Sequence, residues 1–427
     1  MVKKFITITT LALLTLGATA QNYNVIEEVK GDWIKASGME APYTMPDQAL
    51  TPAPEGYTPV YVSHYGRHGS RYAYNDDTYK LIHKALSKAH KDGNLTALGE
   101  SFYERYEKFY KIPLTNTGDL VPLGVAQHKA IAAYIYNAFP EVFAGERKVS
   151  ARSSTSGRCI VSMSAFCTSL QKQNPGLDIS LSCNHMGMCD IVPPSAPSAY
   201  RKEFKAWGDQ TRELEGYAEF FERTVDYDAI LGKIFKDHNF LKDYEDGIIG
   251  FFHEFYEFLG NYQNYEDVNL FKDLVTADEM AQMWESNNYF SFVIDYEARF
   301  GTIPLLHDII SKADEALGEN GNAADLRFGH DYIVEAFTCL INVNGCGTVP
   351  ETAEEAKYWF QSFNVPMAAN LQFVLYRSEK GKDILFKLLW NGKEAQLPDL
   401  YPVSGPYYKW NDFKDFAEGI FKAHPEK

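Results

Sequence analysis

Thr58-Pro-Val-Tyr-Val-Ser-His64, followed at once by Tyr65-Gly66-Arg67-His68-Gly69-Ser70-Arg71, is the stretch on which the reading of this chain turns. Its first part is rich in β-branched and aromatic residues and predicts a mostly buried strand. Its second part sets two guanidiniums around an imidazole just past that strand's carboxyl end, where open α/β sheets hold their ligands. Guanidinium forks match phosphate oxygens, and a neutral imidazole nitrogen can attack phosphorus once the charge on those oxygens is offset. Gly69 allows close backbone approach. The bland alternative is a solvated basic turn, so the motif needs company from elsewhere in the chain.

That company comes at two further predicted strand ends. Lys148-Val-Ser-Ala151 reads as a short strand, and Arg152-Ser-Ser-Thr-Ser-Gly-Arg158 leads from it into a helix that reaches about Leu170. Arg152, at the junction, would add a third guanidinium beside helix N-terminal amides. Arg158, about a turn and a half further on, reads as support or packing. Ala324-Asp-Leu-Arg-Phe328 reads as a strand leading to Gly329-His330-Asp331 and a helix over Tyr332 to Asn342. His330 can hydrogen-bond a phosphoryl oxygen, and Asp331 can protonate a leaving oxygen as general acid. The competing pair His307-Asp308 lies within a helical apolar face and reads as structural; His64, on the strand itself, reads as core or support.

Helical periodicity covers Leu81 to Ala89, Leu98 to Tyr110 and Leu123 to Phe139, and further strands are expected at Asn370 to Tyr376 and Ile384 to Trp390. Strands alternating with helices predict an α/β fold, a mainly parallel sheet with helices on both faces. Residues 193–300 are helical in pattern and rich in aromatics, which predicts an inserted, mostly helical cap domain. The core is then 21–192 and 301–427, with part of 75–122 joining the cap.

Composition sets the outer bounds. The 427 residues are 45% apolar and 23% charged, a folding mixture, and the net charge of −16 argues against a nucleic-acid partner. Lys3 and Lys4, the apolar run Phe5 to Gly17 and Ala18-Thr19-Ala20 read as a secretory signal peptide, 1–20. Its removal would leave a chain of net charge −18, destined for a periplasm or secretion. No later segment is long and apolar enough for a membrane span. The six cysteines are even in number but their pairing is not readable, and the run Cys183-Asn-His185-Met-Gly-Met-Cys189 lacks the second ligand pair of a zinc finger. Arg201, Lys202 and Lys205 could form a local basic patch, although a solvated helix face is the better reading of the three.

Taken together, Arg67-His68-Gly69-Ser70-Arg71, Arg152 within Arg-Ser-Ser-Thr, and Gly329-His330-Asp331 resemble, in order and spacing, the histidine acid phosphatase branch of the histidine phosphatase superfamily. The resemblance implies that His68 is transiently phosphorylated, that Arg67, Arg71, Arg152 and His330 hold the phosphate, that Asp331 protonates the leaving alcohol, and that no metal cofactor is needed. It implies a phosphorylated small molecule as substrate, and the Arg71-Tyr72 ending is similar to phytases and multiple inositol polyphosphate phosphatases. Two positions depart from the pattern: Ala73 replaces the family's usual Pro, and His330-Asp331 stands where the inositol polyphosphate phosphatases usually carry His-Ala-Glu.

Overall fold

The computed structural model describes residues 24–192, 216–244, 247–381 and 383–425. The signal segment 1–20 and the trio Arg201, Lys202 and Lys205 lie outside the described residues. Among the described residues eight strands form one sheet: β1 (Tyr57–Arg67), β2 (Lys148–Ser153), β3 (Asp178–Ser182), β4 (Ala324–Gly329), β5 (Asn370–Ser378), β6 (Leu385–Trp390), β7 (Lys393–Ala395) and β8 (Tyr408–Lys409). Their order is β3-β2-β4-β1-β5-β6-β7, with β8 also on β6. The parallel core predicted from the sequence is β3, β2, β4 and β1. From β5 onward the pairing is antiparallel. The link between β5 and β6, residues 379–384, is too short for the crossover that a parallel pair requires.

The helices that matter for the site are α1 (Asp77–Lys91), α2 (Ala97–Phe109), α3 (Pro122–Ala138), α4 (Gly157–Gln173), α5 (Gly247–Asn261), α6 (Ala277–Ala298), α7 (Ile303–Ala316), α8 (Asp331–Leu340) and α9 (Trp410–Ala423). Several start where the sequence says they should. Pro122 opens α3 with its missing N–H at a position that needs none. Thr276 and Glu279 close a reciprocal capping box on α6.

Alternation along β1 divides the core. Val62 packs with Ile131, Ile135, Phe166 and Leu170 of α3 and α4 on one face. Tyr61 and Tyr65 pack with Leu305, Leu306, Ile333 and Phe413 of α7, α8 and α9 on the other. A third cluster contains no strand residue. It joins Val25 and Val29 to Tyr79 and Ile82 of α1, Phe102 and Tyr106 of α2, Phe255 and Phe258 of α5, and Trp284 of α6. The aromatics of this layer fill its interior; Phe102, Tyr106, Phe258 and Phe271 meet edge-on, tilted or stacked with ring centroids 5.0–6.3 Å apart.

Candidate active site

β1 delivers Arg67 to the carboxyl end of the parallel sheet, and the strands on either side hold the residues that follow. Arg67 N donates to Ala369 O at 2.8 Å, His68 N to Gly329 O at 3.0 Å, and Ala368 N to His68 O at 2.9 Å. The turn then runs against the start of α3 so closely that a Cβ on Gly69 would stand 2.5 Å from the Gly124 carbonyl oxygen. Only glycine fits there. Ser162 Oγ accepts from Gly69 N at 3.1 Å and Gln127 Oε1 from Ser70 N at 2.9 Å, so the backbone of the motif is tied on both sides.

His68 is buried, 1% exposed. Its Nδ1 lies 2.9 Å from the Gly69 carbonyl, which can only accept, so Nδ1 carries the proton and Nε2 keeps its lone pair. Burial, reinforced by the charges of Arg67, Arg71 and Arg158 and by the ring of His330, holds its pKa well below the ordinary 6.5. The ring is therefore neutral, the state a nitrogen nucleophile needs.

Two of the arginines are buried outright. Arg67 Nη1 donates to the carbonyls of Met39 at 2.6 Å and Val365 at 2.9 Å, and its Nη2 pairs with Asp331 at 2.6 Å. Arg71 pairs with Glu40 at 3.2 Å and Glu257 at 4.0 Å, and donates to the Tyr72 carbonyl at 3.0 Å. Asn261 of α5 donates to Glu40 at 2.6 Å, which fixes that carboxylate in turn. Burial, with Glu40 and Glu254 adding to it, pushes the Glu257 carboxyl up to about 7 against the pull of Arg71.

His330 and Asp331 begin α8 at the end of β4. The His330 ring lies 5.8 Å, edge-on, from that of His68, and its Nε2 is 3.1 Å from Ser154 Oγ. Burial brings His330 down to about 4, with Arg158 adding to the effect. For Asp331 burial acts upward, but Arg67 and Arg71 outweigh it and hold the carboxyl at about 2. It is a carboxylate in the free protein.

Arg67, His68, Arg71, His330 and Asp331 thus converge, but Arg152 does not join them. β2 continues through Arg152 to Ser153, so Arg152 is still a sheet residue, paired in register with Arg327. Its guanidinium is held by Asp190 at 3.1 Å and by Asp308. The third guanidinium at the site is that of Arg158, in the first turn of α4, whose charge bears on both His68 and His330. The sequence reading put the helix start too early and so chose the wrong arginine. Asp308 explains the rival His-Asp pair: it accepts from Arg327 Nε at 2.6 Å, while His307 stacks on Phe421 with centroids 4.2 Å apart. His64 lies in the core, its ring 4.9 Å from that of Phe166.

The Nε donors of Arg67, Arg71 and Arg158 are all buried and without a protein acceptor. Three such donors around one neutral imidazole give the site the capacity to take up an anion with several acceptor oxygens. Tyr74, 61% exposed, stands at its mouth with its ring centroid 5.9 Å from Arg71 and 5.4 Å from Arg158. Among the described residues no His, Cys, Asp or Glu group is placed to hold a metal, Cys183, His185 and Cys189 included. Glu40, Glu257 and Asn261 escaped the sequence reading. They hold Arg71 from segments about 30 and 190 residues away, and nothing in their local pattern marks them.

A profile of the histidine phosphatase superfamily (branch 2) matches residues 66–391. Among curated proteins no sequence matches. Several solved structures share the fold. The Bifidobacterium longum multiple inositol polyphosphate phosphatase, in complex with inositol hexasulfate, superposes with a TM-score of 0.71 at 17% identity over 90% of this chain and 97% of its own. The phytase from D. castellii gives 0.69 at 17% identity over 96% and 89%. The Hafnia alvei phytase, in complex with tartrate, gives 0.58 at 13% over 86% and 98%. No helix among the described residues is long and apolar enough to cross a membrane.

Proposed function

Because the chain belongs to branch 2 of the histidine phosphatase superfamily, we propose that it hydrolyses phosphomonoesters through a phosphohistidine on His68, with inositol phosphates as its substrate class. The observation that carries this reading is a buried, neutral imidazole among three guanidiniums whose Nε donors lack protein acceptors. Arg67, Arg71, Arg158 and His330 bind the phosphoryl oxygens and offset their charge. His68 Nε2 then forms the P–N bond as the P–O bond to the alcohol breaks, and Asp331 gives its proton to the departing oxygen. Water attacks the phosphohistidine in the second half, and Asp331 recovers its proton from that water.

Asp331 has to be loaded before it can act, since Arg67 and Arg71 hold it ionised in the free protein. A phosphate group supplies the loading. Its oxygens engage the guanidiniums and its negative charge lies beside the carboxylate; both effects favour the protonated acid. Substrate binding and acid competence are thereby linked.

Inositol phosphates are supported by the structural neighbours, among them one bearing inositol hexasulfate, and by the ring of Tyr74 at the mouth. The helical layer around α1, α2, α5 and α6 serves as the cap; among the described residues its apolar cluster takes in Val25, Val29 and Ala36 besides side chains from the expected 75–122 and 193–300. The N-terminal segment directs export to a periplasm or beyond. The test is phosphate release, with EDTA present, from an aryl phosphate, a sugar phosphate and inositol hexakisphosphate, beside His68→Ala. Loss of release in the variant and preference for the inositol ester are expected. Preference for the sugar phosphate would make this a general acid phosphatase. Equal inactivity of both proteins with retained phosphate binding would make it a binding module.

A further inference from the structure

Cys339 and Cys346 fall outside the chemistry above, yet they are two thiols that the fold brings together. Cys339 sits in the last turn of α8, the helix that opens with Asp331, and each residue is 2% exposed. Cys339 Sγ donates to the Cys346 carbonyl at 3.4 Å, and the neighbouring Cys346 side chain, with burial, raises the Cys339 thiol well above its ordinary pKa. The chain between them doubles back through three residues in the left-handed region, Asn342 (φ 52°), Asn344 (φ 53°) and Gly345 (φ 89°). Asparagine and glycine are the residues that accept that conformation at least cost. The turn is then pinned from outside. Asn344 exchanges hydrogen bonds with Gln396 at 2.8 and 2.7 Å, and Asn342 Oδ1 accepts from Gly347 N at 3.0 Å. Gly347 lies so close that a Cβ there would stand 2.5 Å from the Cys339 carbonyl oxygen.

We propose that Cys339 and Cys346 are joined by a disulfide, formed while the chain folds, that clamps the carboxyl end of the helix carrying Asp331. The two thiols lose two protons and two electrons as the S–S bond forms. An external disulfide, of the glutathione or thiol-oxidase class, takes up both and leaves as two thiols. Burial of the pair places this exchange before the core closes and shields the finished bond from later reduction.

The chain offers a clean readout, because no Lys or Arg lies between Arg327 and Lys357 and these are the only cysteines in the tryptic peptide 328–357. Protein refolded in a glutathione redox buffer is denatured with iodoacetamide, digested and weighed with and without prior reduction. Without reduction the peptide should be about 2 Da lighter than the dithiol and carry no alkyl group; after reduction it should take two. Two alkyl groups without reduction, or a link from either cysteine to any other, would overturn the proposal. The mass measurement needs no variant. As an independent arm, Cys339→Ser with Cys346→Ser should melt roughly 3 °C or more below the oxidised protein, and reductant should lower the melting point of the wild type only.

Discussion

Exchanging the two arginines of the Arg152 to Arg158 segment separates the geometry seen in the structure from the pattern read in the sequence. Arg158→Ala deletes a half-buried guanidinium whose Nε has no protein acceptor and whose charge bears on His68 and His330. Charge-assisted bonds to a phosphoryl group contribute about 1.5–3 kcal/mol each, and loss of a comparable preorganised donor costs about 3–4 kcal/mol at the transition state. The value of kcat/KM should therefore fall roughly 10²–10³-fold. Arg152→Ala removes pairs to Asp190 and Asp308, but Asp308 keeps Arg327 at 2.6 Å. That variant should lose about 1–3 kcal/mol of stability and less than about threefold in kcat/KM when assayed well below its melting temperature. Steady-state rates on an aryl phosphate, with thermal unfolding of both variants, decide the matter. A hundredfold loss in Arg152→Ala beside near-normal rates in Arg158→Ala would refute the assignment.

Three further outcomes follow from the same site. Asp331→Asn should slow alkyl phosphates by about 10²–10³-fold and a p-nitrophenyl ester far less, because a good leaving group needs no proton; equal losses on both would deny Asp331 the role of acid. With His68 held well below 6.5 and His330 at about 4, kcat/KM corrected for the substrate's own ionisation should survive acidification to about pH 4. A fall centred near 6.5 would contradict a neutral His68. Burial, set against a contact with the Arg67 backbone, holds His128 at about 3. Being lowered relative to the unfolded chain, it contributes stability that is complete above pH 6.5 and drains as pH falls toward 3, by about 1.4 kcal/mol per unit. Urea unfolding of His128→Phe should thus gain roughly 2.3 kcal/mol on the wild type between pH 6.5, where the unfolded ring is half protonated, and 4.5, and parallel pH dependences would count against the argument.

Much of this architecture was legible because β1, β4, β5 and β6 are apolar enough to declare themselves, because β2 alternates Val149 and Ala151 with polar residues, and because His330-Asp331 follows a strand directly. The shortfalls have local physical causes. β3 is exposed at four of its five residues, and β7 and β8 are three and two residues long, so pairing with a neighbour rather than composition makes them strands. The Arg152 error arose at a strand end, where Ser153 fits strand and cap equally well and two residues of slippage move a guanidinium from the site to the sheet face. Glu40 lies in a Gly-Met-Glu turn with no pattern of its own; its partner Arg71 was evident, but the distance along the chain was not.

The placing of β1 also dictates when the site can exist. The strand that ends in Arg67 has β4 on one side and β5 on the other, so neither neighbour is available until residues 324–378 have been made. Arg67 itself waits for a carbonyl from Val365, and His68 for one from Gly329. Such distant pairings are the slow step in assembling a sheet. A growing or C-terminally clipped chain therefore carries His68 without the strands and carbonyls that seat it, and the site can assemble only late, as the last quarter of the polypeptide arrives.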